Sequence, residues 1–507
     1  PSFGTNDTIS LAKGNVLVLN PATADLIFDT GAANPVTVVT NSTQTNGDLP
    51  TVVLAGALGS TNVSLASLGL GTAPTGGKPG LVLDLSGVTD LAGYAGVAGS
   101  FENSTSTGTI SGLSLASGNV LVMSAAQVDG PAPVINGTGG TLDIRLSAGT
   151  SITSDTNLSQ ISGNIGVYFV GATGVTPVSS PIIDNATLTL SASQVVGRNF
   201  TSATSNGADT GTVAVAYNPS SGTLGTAGAL SLAGLATNIN LSGLGNLSVA
   251  NGVLTDSGGG SITLPTLTSA QTVSMAVGQL TNGLPSFGSS LGATFDIRGD
   301  ITRSLNLSTL PDSFHLALTH GSGLNGTVMI GGQYLPTLTV KAHQLSGLTL
   351  TSAVDGVTGL DTGTVKLADD SSALPTIPSA VDLTNVQTNI DFTGLAHLTV
   401  NSSHKLQDGG VITLGTATLA QTMTLTYAQA GSFTNSVDFG NATAEIITIA
   451  GSTGVDLSNV LATGGQVIAD VETAQTFTGN FGSAAVKLLN AVKLTTTADR
   501  ITGRQVY

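Results

Sequence analysis

Apolar and hydroxyl residues alternate along much of this chain, as in Thr187-Leu-Thr-Leu190, Leu338-Thr-Val340, Leu348-Thr-Leu350, Val411-Ile-Thr-Leu414 and Ile446-Ile-Thr-Ile449. Successive strand residues point to opposite faces, so a period of two predicts half-buried strands with Ser and Thr turned to solvent. From Leu398 onward, strand centres recur every 10 to 13 residues with Gly, Asn, Asp or Ser between them. Asn15–Leu19, Val36–Thr40 and Val52–Leu54 are predicted as strands near the start. Helical spacing is rare: Ser483–Val492 reads as one short helix.

The strands belong to a longer repeat. Thr187 opens TLTLSASQVVG, which recurs as VLVMSAAQVDG from Val120, TVSMAVGQLTNG from Thr272, TLTVKAHQLSG from Thr337 and TMTLTYAQAG from Thr422, with a weaker VTVVTNSTQTNG from Val36. The cassette is a strand, a small-residue step that reads as a single helical turn, a glutamine and a glycine. Its glutamines fall at 44, 127, 194, 279, 344 and 429, and every second one is 150 to 152 residues from the last. Other stretches keep this period: Ser242–Val249 with Thr393–Val400, Asp209-Thr-Gly-Thr-Val213 with Asp361-Thr-Gly-Thr-Val365, and Asp143-Ile-Arg145 with Asp296-Ile-Arg298. Agreement across unconnected stretches implies internal duplication.

The expected fold is therefore all-β, an elongated tandem-repeat array. A parallel β-solenoid (β-helix), with coils of about 20 residues stacked about 4.8 Å apart, is favoured by small core residues and Gly-rich corners. Tandem β-sandwich domains are the alternative, and better explain the alternation of long and short blocks. The units divide as an N-terminal β region 1–90, repeat unit 1 at 91–240, repeat unit 2 at 241–390, and a truncated third at 391–507 with a distinct C-terminal part.

Composition narrows the function. Hydrophobic residues are 40% of the chain and charged residues only 8%, the opposite of ordinary disorder. The net charge of −16 argues against nucleic acid and anionic membrane surfaces, which need basic patches. With no cysteine there is neither a disulfide scaffold nor a thiolate metal site. No apolar run reaches the roughly 18 residues of a membrane span, and no basic-then-apolar leader opens the chain. Pro1 reads either as the residue after a removed initiator Met or as the start of a fragment.

Candidate chemistry is sparse. Asp29, Asp209 and Asp361 each open Asp-Thr-Gly, the first within a stretch like an aspartic-protease loop. Asp209 and Asp361, however, hold one position in successive repeats, which predicts a turn with Asp capping and Gly at positive φ. His315, His320, His343, His397 and His404 show no zinc spacing. Gly71–Lys78 departs from a phosphate loop and reads, within Leu68–Gly80, as linker. Arg298-Gly-Asp300 starts on a duplicated Arg, and Arg145 and Arg298 with Asp143 and Asp296 read as structural pairs. Asp256 and Asp408, in equivalent Gly-rich turns, are the calcium candidates, although no GGxGxDxUx nonapeptide is present. No catalytic constellation is visible, so an enzyme is not expected.

The cassette, with stretches such as Val455-Asp-Leu-Ser-Asn459, resembles bacterial β-strand-repeat cell-surface proteins, the S-layer proteins and large type I-secreted adhesins. That resemblance implies export, calcium-dependent ordering and self-assembly. The expected function is a structural subunit of an extracellular assembly on a bacterial or archaeal surface, its partner another copy of itself. The alternative is an adhesin or carbohydrate-binding stalk with a cell-surface glycan as partner.

Overall fold

The structure is a computed structural model. It describes residues 114–129, 135–147, 149–162, 164–172, 177–225, 229–290, 292–319, 328–332, 335–357, 359–369, 380–415 and 421–434. Beyond that span it describes the strand segments 8–11, 16–19, 37–40, 51–56, 63–64, 80–88, 100–102, 109–111, 446–451, 466–471 and 485–489. Gln44, Asp29, His320 and most of the Leu68–Gly80 linker lie outside the described residues. The chain forms two units, one comprising 1–247, 254–273 and 287–290, the other 248–253, 274–286 and 291–507.

In the first unit, six strands hydrogen-bond side by side in the order Gly166–Val170, Thr141–Arg145, Val120–Ser124, Val82–Val88, Thr51–Gly56, Val16–Leu19. Neighbours in this sheet pair in parallel and nearly in register. Register decides the core: Val52, Leu83, Leu121, Leu142 and Val167 fall in one row and are buried. A second parallel set, Thr156–Asn157, Thr187–Ser191, Thr212–Ala216 and Asn238–Asn240, stacks Leu188, Val213 and Ile239 the same way. A third set holds Ser151–Ile152, Ile182–Ile183, Phe200–Ser202 and Leu235–Ala236. Each buried aliphatic in such a row is worth about 1.5–3 kcal/mol, and a one-residue slip would turn every one of them to solvent.

The second unit repeats the scheme. Its longest sheet runs from Leu305–Asn306 through Thr337–Lys341, Thr364–Ala368, Asn389–Gly394, Thr422–Thr426, Ile446–Gly451 and Gln466–Val471 to Ala485–Leu489. Leu338, Val365, Ile390, Met423, Ile447, Val467 and Val486 share one row across it. The helix expected at Ser483–Val492 is corrected here: Ala485–Leu489 is a strand. Its ladder to Gln466–Val471 overrides a weak local helical preference.

The fold is all-β, with parallel sheets carrying the core. Sandwiches require antiparallel sheets, and among the described residues antiparallel pairing is limited to short hairpins such as Thr204–Ser205 with Ala208–Asp209. Short turns follow the cassette strands, as expected: α-helical at Ala125–Val128, Ala192–Val195 and Tyr427–Ser432, and 3₁₀ at Val277–Leu280 and Ala342–Leu345. Among the described residues no helix is long and apolar enough to cross a membrane.

Candidate functional site: buried amides and carboxylates

The repeated glutamine is a latch between successive strands. Gln127 Oε1 accepts from the Ser124 N–H at 2.8 Å, closing the turn, while Nε2 donates to the Leu85 and Val88 carbonyls at 2.8 and 3.0 Å. Gln429 does the same with the Thr426 N–H and the Phe392 and Leu395 carbonyls. Gln194 joins the Ser191 N–H to the Leu158 carbonyl. A primary amide suits the place because it both accepts and donates, so it satisfies the turn and the preceding segment together. The copy at Gln344 is defective: Oε1 is buried without a donor, and Nε2 reaches only the Pro311 carbonyl at 3.3 Å.

Two further rows escaped the sequence reading. Gln271 and Gln421, 150 residues apart, donate to the paired carbonyls of Leu235 and Thr237 and of Val386 and Thr388. Asp84, Asn157, Asn240, Asn306 and Asp391 each accept from the backbone N–H two residues on, at Ser86, Ser159, Ser242, Ser308 and Thr393. Both were available as spacings, the first as Ala-Gln-Thr, the second as Asx–apolar–Ser/Thr.

The Asp-Thr-Gly tripeptides at Asp209 and Asp361 form corners. Thr210 and Thr362 donate their hydroxyls to the Ala203 and Ala353 carbonyls, and the Asp209 and Asp361 carbonyls accept from Asn238 and Asn389 Nδ2. The expected positive φ at the glycine is corrected: neither Gly211 nor Gly363 has one. Glycine is needed instead because a Cβ would lie 2.4 Å from the Ile183 carbonyl oxygen at Gly211, and 2.1 Å from that of Ile330 at Gly363. Gly363→Ala is expected to destabilise the second unit by about 2 kcal/mol through overpacking. Urea unfolding would read it, and an unchanged midpoint would show that the two backbones do not approach so closely. Burial raises both carboxyls, Asp361 to about 6.

The calcium candidates stand in hairpin turns of different units. Asp256 is buried; its Oδ2 accepts from the Gly258 and Leu224 N–H groups at 3.2 and 3.4 Å, leaving Oδ1 buried without a hydrogen-bond partner. Tyr217, pushed up to about 12 mainly by burial, lies beside it as a neutral phenol. Asp408 is fully buried opposite Gly410, across Gly409 at φ 76°. Among the described residues there is no group of three or more His, Asp or Glu placed to share an ion. His343 Nε2 lies 3.2 Å from the Asp312 carbonyl, and His315, His397 and His404 are exposed.

The duplicated Asp-Ile-Arg motif differs between its copies. Arg298 pairs with its own Asp296 at 2.9 Å, and Asp296 also accepts from the Ser274 and Thr319 hydroxyls. The pairing expected within the first copy is corrected: Arg145 turns to Asp84 at 2.7 Å and to the Ser86 hydroxyl. Ser274 and Thr319 have Val122 and Val170 as counterparts, so the first copy has no hydroxyl at either place; Asp143, with Val122 and Tyr168 as its ladder neighbours, is buried, and desolvation lifts it to about 6, although Arg145 acts to lower it. In Arg298-Gly-Asp300, Arg298 is tied to Asp296, the Gly299 N–H donates to the Thr319 carbonyl and Asp300 accepts from the Met329 N–H, a structural use of all three positions.

These groups all act on backbone or on each other: amide latches, corner carbonyls and carboxylates that fix neighbouring strands. No protein-family model, curated protein or solved structure matches this chain.

Proposed function

We propose that the chain is a structural subunit of an extracellular assembly, an S-layer lattice or surface filament of a bacterial or archaeal cell. In this reading it is not an enzyme, and the parallel sheets of each unit are the walls of a β-solenoid. The observation that carries it is the pairing order. Strands that follow one another along a sheet pair in parallel with equivalent residues in register, as in the eight-strand sheet from Leu305 to Leu489. Such stacking uses the same backbone ladder at every step, and an open strand edge is a template on which a second copy can continue it. The low charge content and the hydroxyl-rich outer faces suit close lateral packing between copies.

Calcium has a place in this reading as a structural ion, held at Asp256 through Oδ1, with Asp408 as the equivalent turn residue of the second unit. Electron microscopy of the purified chain, with calcium and after chelation, tests both parts. Ordered sheets or filaments are expected. Monodisperse single copies under both conditions, at concentrations up to the solubility limit, would sink the assembly reading. Asp256→Asn is expected to reduce the calcium-dependent rise in melting temperature, and Asp256→Asn with Asp408→Asn to abolish it.

A further inference from the structure

Apart from the buried rows, the first unit carries a surface cleft of about 160 Å³. Its floor is Phe169 packed edge to face on Phe200, centroids 5.8 Å apart, both buried. The wall is held by the Val178 N–H on the Phe169 carbonyl and the Thr201 N–H on that of Pro181. On the rim, the Arg198 guanidinium carbon lies over the Tyr168 ring, 4.0 Å from its centroid, with Asn199 and Ser179 also among the lining residues.

Arg198 is placed unlike the other paired cations. Arg145, Arg298, Lys341 and Lys366 each meet a carboxylate, whereas among the described residues Arg198 meets none, in a chain with 29 acidic residues to 13 basic ones. The repeat also supplies an internal comparison. Ladder register makes Ala317 the counterpart of Tyr168, and the cassette makes Leu348 and Thr349 the counterparts of Arg198 and Asn199. The second copy keeps the buried glutamine and the positive-φ glycine of this corner, Gly197 in one copy and Gly347 in the other. It forms the same parallel strand beyond without the aromatic, the guanidinium or the amide. The fold does not require those three side chains.

We propose that this cleft binds a small carboxylate. A guanidinium held by stacking on an aromatic ring keeps its N–H fork available, and that fork matches a carboxylate's two oxygens. A cavity of about 150 Å³ accepts a body the size of one six-membered ring. The overall negative charge is screened beyond about 8 Å at physiological salt, so the local arginine governs binding. The carboxylate belongs either to an acidic sugar, whose hydroxyls Asn199 and Ser179 would meet, or to a free organic acid.

Saturation-transfer NMR on the full chain, with glucuronate, glucose and benzoate as probes, tests this. Glucuronate, benzoate or both should bind, and glucose should not. Preference for glucuronate identifies an acidic sugar, and benzoate binding as well or better identifies a free acid. Arg198→Gln and Arg198→Lys should each weaken binding at least tenfold, Tyr168→Ala similarly, while Tyr168→Phe, which keeps the ring, stays within about twofold of wild type. The melting temperature of each variant checks that the fold survives. Binding of glucose equal to glucuronate, absence of binding by both acids, or wild-type affinity in Arg198→Gln would each overturn the proposal. It is independent of assembly, because a chain that forms no lattice still presents the cleft.

Discussion

Gln127→Leu is expected to destabilise the first unit by about 4 kcal/mol, far beyond an ordinary substitution of similar volume. The side chain is 2% exposed and makes three hydrogen bonds, one to the turn that follows its strand and two to carbonyls about 40 residues earlier. Leucine fills the space but leaves one N–H and two carbonyls unpaired, and each buried orphan costs about 1–3 kcal/mol. Gln429→Leu should behave alike, since it loses the same three partners. Gln344→Leu should cost about 1 kcal/mol or less, because that amide makes a single long bond and its oxygen is already unsatisfied. The ordering, Gln127 and Gln429 well above Gln344, is the test. It is best read by hydrogen exchange of the flanking strands, since a repeat array need not unfold as one cooperative body. Equal losses at Gln344 and Gln127 would falsify the latch.

Much of this was legible in the sequence, for a definite reason. Alternating Leu and Thr at Thr187–Leu190 dictates a strand with one buried face, and a glutamine returning every 150 residues must hold a repeated position. What the residues touch was not legible. Gln127 is bonded to Leu85 and Val88, and no local pattern names partners that far away. The glycine of Asp-Thr-Gly was attributed to turn geometry, whereas the real constraint is the carbonyl of Ile183 or Ile330 from a neighbouring strand. Ala485–Leu489 reads as a helix alone and becomes a strand once a ladder partner is present. Asp256 and Asp408 end the strands that lead into the expected turns, but their burial was not foreseeable from Gly-rich neighbours.

Identical motifs with different neighbours give the second large prediction. Asp143-Ile-Arg145 and Asp296-Ile-Arg298 match residue for residue, yet Asp296 is met by two hydroxyls and its own arginine, whereas the first copy has Val122 and Val170 where those hydroxyls stand. Burial therefore raises the Asp143 carboxyl from 3.8 to about 6. In the unfolded chain it ionises near pH 4 and in the folded chain near pH 6, so between those values unfolding releases a proton. Stability from this group is fully present below about pH 4 and is lost as pH rises through 6. A shift of that size corresponds to roughly 3 kcal/mol. Half-buried Asp361, also raised to about 6, and Asp209 bias the pH dependence in the same direction. The melting temperature of wild type should fall from pH 5 to pH 7, and Asp143→Asn should raise it at pH 7 while flattening that slope. Asp296→Asn should instead lower the melting temperature at pH 7, because it breaks an ion pair and leaves one of the two hydroxyls without its acceptor. Installing the second copy's donors in the first, Val122→Ser with Val170→Thr, should bring the Asp143 carboxyl back down and leave Asp143→Asn with little left to gain. A pH slope untouched by Asp143→Asn would mean that the burial of this carboxyl does not exclude water.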